Sequence, residues 1–160
     1  MLHTMRRRDR EVSGLQDKLD IIERCDVCRI GMMDEEGMYI VPMNFGYKYE
    51  NDTLIFYFHG SKDGRKVDAL KKNPDVCFQL DCDHEIVTGD MPCLYGYKYK
   101  SIFGTGRAEI IEDLDEKKEA LALMMKKYTG EDFEINDAMA KSIAITKLTA
   151  DTFTGKARTK

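Results

Sequence analysis

Between Phe58 and Val67 the chain reads His59-Gly60-Ser61-Lys62-Asp63-Gly64-Arg65-Lys66. Small residues let backbone N–H groups close on an anion, and Arg65 and Lys66 add charge-assisted hydrogen bonds. The preceding Thr53-Leu54-Ile55-Phe56-Tyr57-Phe58 is strongly β in composition. The following Val67 and Leu70 have helical spacing. A basic, glycine-containing turn from a strand into a helix N-terminus suits a phosphate. It is neither a Walker A loop nor a GxGxxG turn. With no second phosphate loop in the chain, one terminal phosphate is the ligand it points to. The plain alternative is a solvated basic loop.

Other residues compete for chemical roles. His59 ends the strand. It is either a histidine hydrogen-bonded to backbone or a proton donor beside a ligand, since imidazole titrates near neutral pH. Asp81-Cys82-Asp83-His84-Glu85 resembles a metal cluster in composition. Neighbouring side chains cannot all aim at one ion, so it reads as a solvated loop. Cys25-Asp26-Val27-Cys28 has zinc or redox spacing, but no second C-x-x-C accompanies it. Five cysteines are an odd number, and reduced thiols are the expectation. No Ser-His-Asp order or hydrolase elbow is present.

The elements that position these residues follow from periodicity. Ser13-x-x-Gln16 reads as a capping box before a helix carrying Leu15, Leu19 and Ile22. Strands are predicted at 28–33, 38–49, 53–59, 76–80, 101–111 and 142–148, the last before a polar tail. Pro42 requires an edge or a bulge, and Asn51-Asp52 a hairpin turn. A short helix stops at Asn73-Pro74, and Asp113-x-x-Glu116 caps a second long helix. Residues 84–98 read as irregular. Gly104 and Gly106 allow curvature or close ligand approach. Hairpin connections predict an antiparallel sheet closed into a small barrel.

Composition bounds the rest. The 160 residues predict one domain, with a core over about 11–156. With 42% hydrophobic and 34% charged residues, the chain reads as soluble and globular. A net charge of -4 argues against nucleic acid as a partner. The Arg6-Arg7-Arg8-Asp9-Arg10 cluster reads as a solvated arm. No apolar run is long enough to span a membrane and no secretory signal is visible, so a cytoplasmic protein is expected.

Three further segments complete a pattern. They are Tyr39-Ile40-Val41-Pro42-Met43-Asn44-Phe45-Gly46-Tyr47, then Tyr99-Lys100-Ser101-Ile102-Phe103-Gly104-Thr105-Gly106-Arg107-Ala108-Glu109, and Thr154-Gly155-Lys156. In this order, with the phosphate-loop candidate between the first two, the chain resembles the FMN-binding split-barrel proteins related to pyridoxamine 5'-phosphate oxidase. Within them it resembles the nitroimidazole-resistance (Nim-type) branch. The likeness spans about Arg6 to Lys156. It implies a mainly β fold with helices, a six-stranded antiparallel split β-barrel. It also implies an FMN cofactor and a homodimer with FMN at the interface.

By the same resemblance, Pro42, Met43, Asn44 and Phe45 offer the flavin a polar backbone edge, with Tyr57, Phe58 and His59 beside it. Ser61, Lys62, Arg65 and Lys66 hold the phosphate and ribityl chain, and Ser101 comes from the second subunit. The implied function is an FMN-dependent oxidoreductase acting on a small oxidised compound such as a nitroimidazole, with His59 as its catalytic residue. The alternatives are a non-catalytic flavin carrier or sensor, and a haem-binding split barrel. The C-terminal substrate motif of pyridoxamine phosphate oxidase is not found. No metal is implied.

Overall fold

In the computed structural model residues 5–159 are described, so residues 1–4 and 160 of the predicted domain lie outside them. The strands are β1 (Glu11–Val12), β2 (Cys28–Asp34), β3 (Gly37–Met43), β4 (Gly46–Glu50), β5 (Thr53–Gly60), β6 (Asp75–Val87), β7 (Gly96–Ile111) and β8 (Ala144–Arg158). The helices are α1 (Leu15–Arg24), α2 (Arg65–Lys72), α3 (Leu114–Thr129) and α4 (Asp137–Ser142). All strand pairs are antiparallel, in the order β3-β2-β6-β7-β8-β5-β4, with β1 added against the end of β8.

Alternation along the strands builds the interior. Cys28, Ile30 and Met32 on β2 face inward with Phe78 and Leu80 on β6, Ile102 on β7, and Phe56 and Phe58 on β5. Phe56 packs edge-on against Phe45 at 5.4 Å and Phe78 at 5.1 Å between ring centroids, a favoured aromatic geometry. α1 adds Ile21 and Ile22 to this core. A second, smaller cluster lies across the sheet, where α3 packs Ala120 and Met124 on Tyr57, Ile111 and Ile145.

The mainly antiparallel fold and its helices agree with expectation, but the strand count is eight rather than six, and the ladder does not close edge to edge. The predicted strand 38–49 breaks at Asn44-Phe45 into β3 and β4, which sit at opposite ends of the ladder. Of residues 84–98, the predicted irregular stretch survives as 88–95 around a 3-10 turn at Pro92–Leu94, while 84–87 and 96–98 belong to β6 and β7. A bulge between Cys82 and Glu85 carries Asp83 at φ 56, so the expected solvated loop is a kinked strand.

The tail after Leu148 is also strand, because the sixteen-residue β7 gives it a partner out to Arg158. Pro42 does lie on an edge strand. Asn51 and Asp52 both take positive φ in a tight hairpin. Asp113 caps α3 by accepting from the Glu116 N–H at 2.8 Å. Ser13 caps nothing, since Gly14 is the N-cap of α1 and no side chain bonds there.

Candidate functional site

α2 begins without a side-chain cap. Its N-cap is Gly64, at φ 123, a conformation that favours glycine. The first N–H groups of the helix therefore have no side-chain acceptor, and the positive end of the helix faces the loop 61–64. Lys66 reaches back from this end toward β5 and β3. Its Nζ lies 3.4 Å from the Met43 sulfur. A Cβ built on Gly60 would stand 2.8 Å from the same Nζ. Lys66 is half-buried and, among the described residues, makes no ion pair. Burial lowers its pKa from the ordinary lysine value. A cation desolvated without a counter-charge is unfavourable, and an anion bound there relieves it.

The other predicted phosphate ligands are engaged elsewhere. Arg65 turns away from the loop and forks onto Asp34, with Nε at 2.7 Å and Nη2 at 2.9 Å from the two carboxylate oxygens. Its guanidinium also lies over the Tyr39 ring at 4.2 Å. The Arg65 hydrogen bonds hold the Asp34 carboxyl below its ordinary pKa. Lys62 donates to the Lys141 carbonyl oxygen at 2.8 Å, on the α4 side. Ser61 Oγ accepts from the Asp63 N–H at 3.3 Å.

The edge predicted from Pro42 to Phe45 divides by atom type. β3 is an end strand, so its outer backbone groups have no ladder partner among the described residues. Asn44 donates to the Asp26 carbonyl oxygen at 2.9 Å. The side chains of Phe45, Tyr57 and Phe58 are all fully buried. Tyr57 points to α3, donating to Glu116 at 3.1 Å. What these three can present to a ligand is therefore main chain. Tyr39, which the sequence pattern includes without a site role, contributes a buried hydroxyl with no partner among the described residues. Tyr39 and Asp34 were missed because what marks them is contact with Arg65, which no local pattern carries.

His59 is exposed and makes no side-chain hydrogen bond among the described residues. By alternation it shares the Tyr57 side of β5, while Gly60 turns toward Lys66. β4 pairs with β5 only as far as Tyr57, leaving the edge at residues 58–60 free on that side. A ligand can touch both His59 and Lys66 by crossing this edge at Gly60, where no Cβ intervenes.

Ser101 lies far off in the ladder. It pairs with Lys156 of β8, whereas His59 pairs with Ile145 of the same strand. Eleven residues of β8 (156 − 145) separate them, about 35 Å of strand at roughly 3.3 Å per residue.

The remaining sequence candidates resolve simply. His84 Nε2 sits 2.6 Å from Asp81 Oδ2 on the bulged stretch of β6. Cys25 and Cys28 are both buried, and burial raises both thiol pKa values. Cys25 lies beside Cys82. Arg7 pairs with Asp9 near the N-terminus.

The profile of the pyridoxamine 5'-phosphate oxidase family matches residues 16–157. The chain belongs to that family. A structure from Bacteroides thetaiotaomicron named for 5-nitroimidazole antibiotic resistance is 35% identical over 92% of this chain and 86% of its own, with a TM-score of 0.78. Two more distant structures share the fold. The flavocytochrome Anf3 of Azotobacter vinelandii has a TM-score of 0.79 at 22% identity, covering 99% of this chain and 73% of that one. An FAD- and haem-binding protein of Mycobacterium smegmatis has a TM-score of 0.79 at 15% identity, covering 94% and 74%. No match to a curated protein was found. Within this pyridoxamine 5'-phosphate oxidase-type fold, the uncapped start of α2, Lys66 and the free edge of β3 form one candidate cradle. No described helix is long and apolar enough to cross a membrane.

Proposed function

We propose that the protein is an FMN-dependent reductase of small oxidised compounds, with a nitroimidazole as the model substrate. The observation that carries this reading is Lys66, half-buried and without a counter-charge among the described residues, at an uncapped helix start. A terminal phosphate supplies what both groups lack. The relative named for 5-nitroimidazole resistance supports the choice of substrate.

When bound, the flavin supplies the redox chemistry, and the chain supplies binding, orientation and electrostatics. Lys66 and the first N–H groups of α2 hold the phosphate. Ser61 adds a hydroxyl once its bond to the Asp63 N–H is released. Arg65, forked onto Asp34, fixes the helix start against the β2–β3 hairpin and needs no direct contact. The outer main chain of Pro42 and Met43 offers hydrogen bonds to the polar edge of the ring. His59, free of structural hydrogen bonds, donates a proton to the substrate or orients it.

FMN rather than FAD is favoured because the sequence carries one phosphate-type loop, residues 59–66, and no second one for a pyrophosphate and its nucleoside. The test is an absorption spectrum of the purified protein titrated with FMN, FAD and haem in turn. Turnover is then measured with reduced nicotinamide and a nitroimidazole. Stoichiometric FMN binding with nitro-group reduction is expected. A Soret band on haem addition with no flavin uptake overturns the assignment. Flavin uptake without turnover moves the protein to a carrier or sensor.

A further inference from the structure

Lys117 is in an unusual position for a lysine. It sits in the first turn of α3, where the helix dipole disfavours a cation. The residue is only 7% exposed. Among the described residues it has neither an ion pair nor a side-chain hydrogen bond. Its acidic neighbours are otherwise engaged. Asp113 caps the helix, Asp115 pairs with Lys118, and Glu116 pairs with Lys147. A stem buried along apolar surface is ordinary for lysine, but it then delivers the ammonium to wherever the stem ends.

Here the stem borders a cavity of about 480 Å³ between α2, α3 and the start of β8. Lys62, Lys71 and Lys141 also line it, against one carboxylate, Glu112. Its apolar wall includes Val67, Ile110 and Ile143. The volume is in the range of small-molecule sites, roughly 300–1,000 Å³. Lys62 belongs to this cavity and not to the Lys66 cradle, since it bonds the Lys141 carbonyl oxygen. The two places lie on different faces of α2. Lys66 faces Gly60 and Met43, whereas Val67 and Lys71 face the cavity.

We infer that this cavity is a second ligand site, for a small organic anion with an apolar body, an aryl or alkyl carboxylate or phosphomonoester. The anionic group meets Lys117, with Lys62, Lys71 and Lys141 around the mouth, and the body lies on Val67, Ile110 and Ile143. The site does not depend on flavin binding at the cradle.

Calorimetric titration of the purified full chain, with and without saturating FMN, tests the inference using phenyl phosphate and benzoate as probes. At least one probe is expected to bind at one site per chain, with FMN leaving its affinity within about twofold. Lys117→Met should weaken binding at least tenfold while melting within a few degrees of the parent, because the apolar stem keeps its packing and no ion pair or side-chain hydrogen bond among the described residues is lost. Lys117→Arg should retain binding, and Lys66→Met should leave it unchanged. Neither probe binding the parent overturns the inference. So does Lys117→Met binding like the parent, or FMN displacing the probe competitively, which would merge the cavity with the cradle. Inorganic phosphate binding as tightly as phenyl phosphate overturns the role of the apolar wall.

Discussion

At the scale of single residues, Lys66 opposes stability and binding to each other. A charged lysine that burial makes more acidic destabilises the fold at neutral pH. Its folded pKa is below the unfolded one, so this penalty is present in full below the folded value and fades as pH rises past it. Lys66→Met should therefore raise the melting temperature at pH 7 and lower FMN affinity. Removing one charge-assisted contact of about 1.5–3 kcal/mol weakens binding roughly 10- to 150-fold. FMN affinity of the parent should also fall at alkaline pH, beginning below the ordinary lysine range, and Lys66→Met should lack that fall. A variant that binds like the parent would show that the cradle is elsewhere.

His59 makes a separate prediction at this scale. Its side chain is exposed and makes no hydrogen bond among the described residues, so His59→Ala should melt with the parent and bind FMN within a few-fold. Turnover per bound FMN should fall by roughly 10²–10⁴ if the imidazole transfers the proton. A steady-state assay normalised to flavin content, run beside a thermal melt, separates this from a folding defect. Unchanged turnover refutes the catalytic role.

At the scale of elements, the glycines of β7 show what close approach means here. A Cβ on Gly104 would meet the Phe78 ring tip at 2.3 Å and the Thr152 carbonyl oxygen at 2.5 Å. The glycine serves the packing of β6 and β8 onto β7 rather than a ligand. Gly104→Ala should destabilise by about 1–3 kcal/mol, the usual cost of overpacking, because a backbone oxygen cannot rotate aside. Denaturant unfolding measures it, and a neutral result would mean that β8 shifts freely.

The same scale explains what the sequence made legible. Aromatic β5, the Asn51-Asp52 turn and the Asp113 cap are local signals, and all three appear in the structure. The 149–158 half of β8 is polar and reads as a tail, yet it is strand because β7 runs beside it. Lys66 was legible from the loop that carries it. The retreat of Arg65 to Asp34, thirty-one positions away, was not, because both charges look free until the chain is folded.

At the scale of the whole molecule, the outward face of the sheet is more apolar than water favours. Met33 and Met38 are cross-strand partners, as are Gly31 and Ile40 and, on the next ladder, Gly31 and Cys77. Met38 is 78% exposed, Ile40 69% and Phe103 53%. Met33, Met38 and Ile40 lie together at the β2–β3 end of this face, while Phe103 stands three strands away in the row of Arg29 and Gln79, and exposed apolar side chains in this number mark an interaction surface. We propose a second copy as the occupant, because the resemblance assigns Ser101 to the cofactor while most of β8 separates it from the Lys66 end of its own ladder. The expected state is therefore a homodimer, with each cradle completed across the interface. Ile40→Asp should place a charge in the seam, yield a monomer by sedimentation at micromolar concentration, and lose FMN affinity while retaining the parent's far-ultraviolet circular dichroism. Ser101→Ala should stay dimeric and weaken FMN by only the few-fold that one neutral hydrogen bond of about 1 kcal/mol allows. A parent that sediments as a monomer with one FMN per chain would defeat the shared site and leave Lys66 to hold the flavin within a single chain.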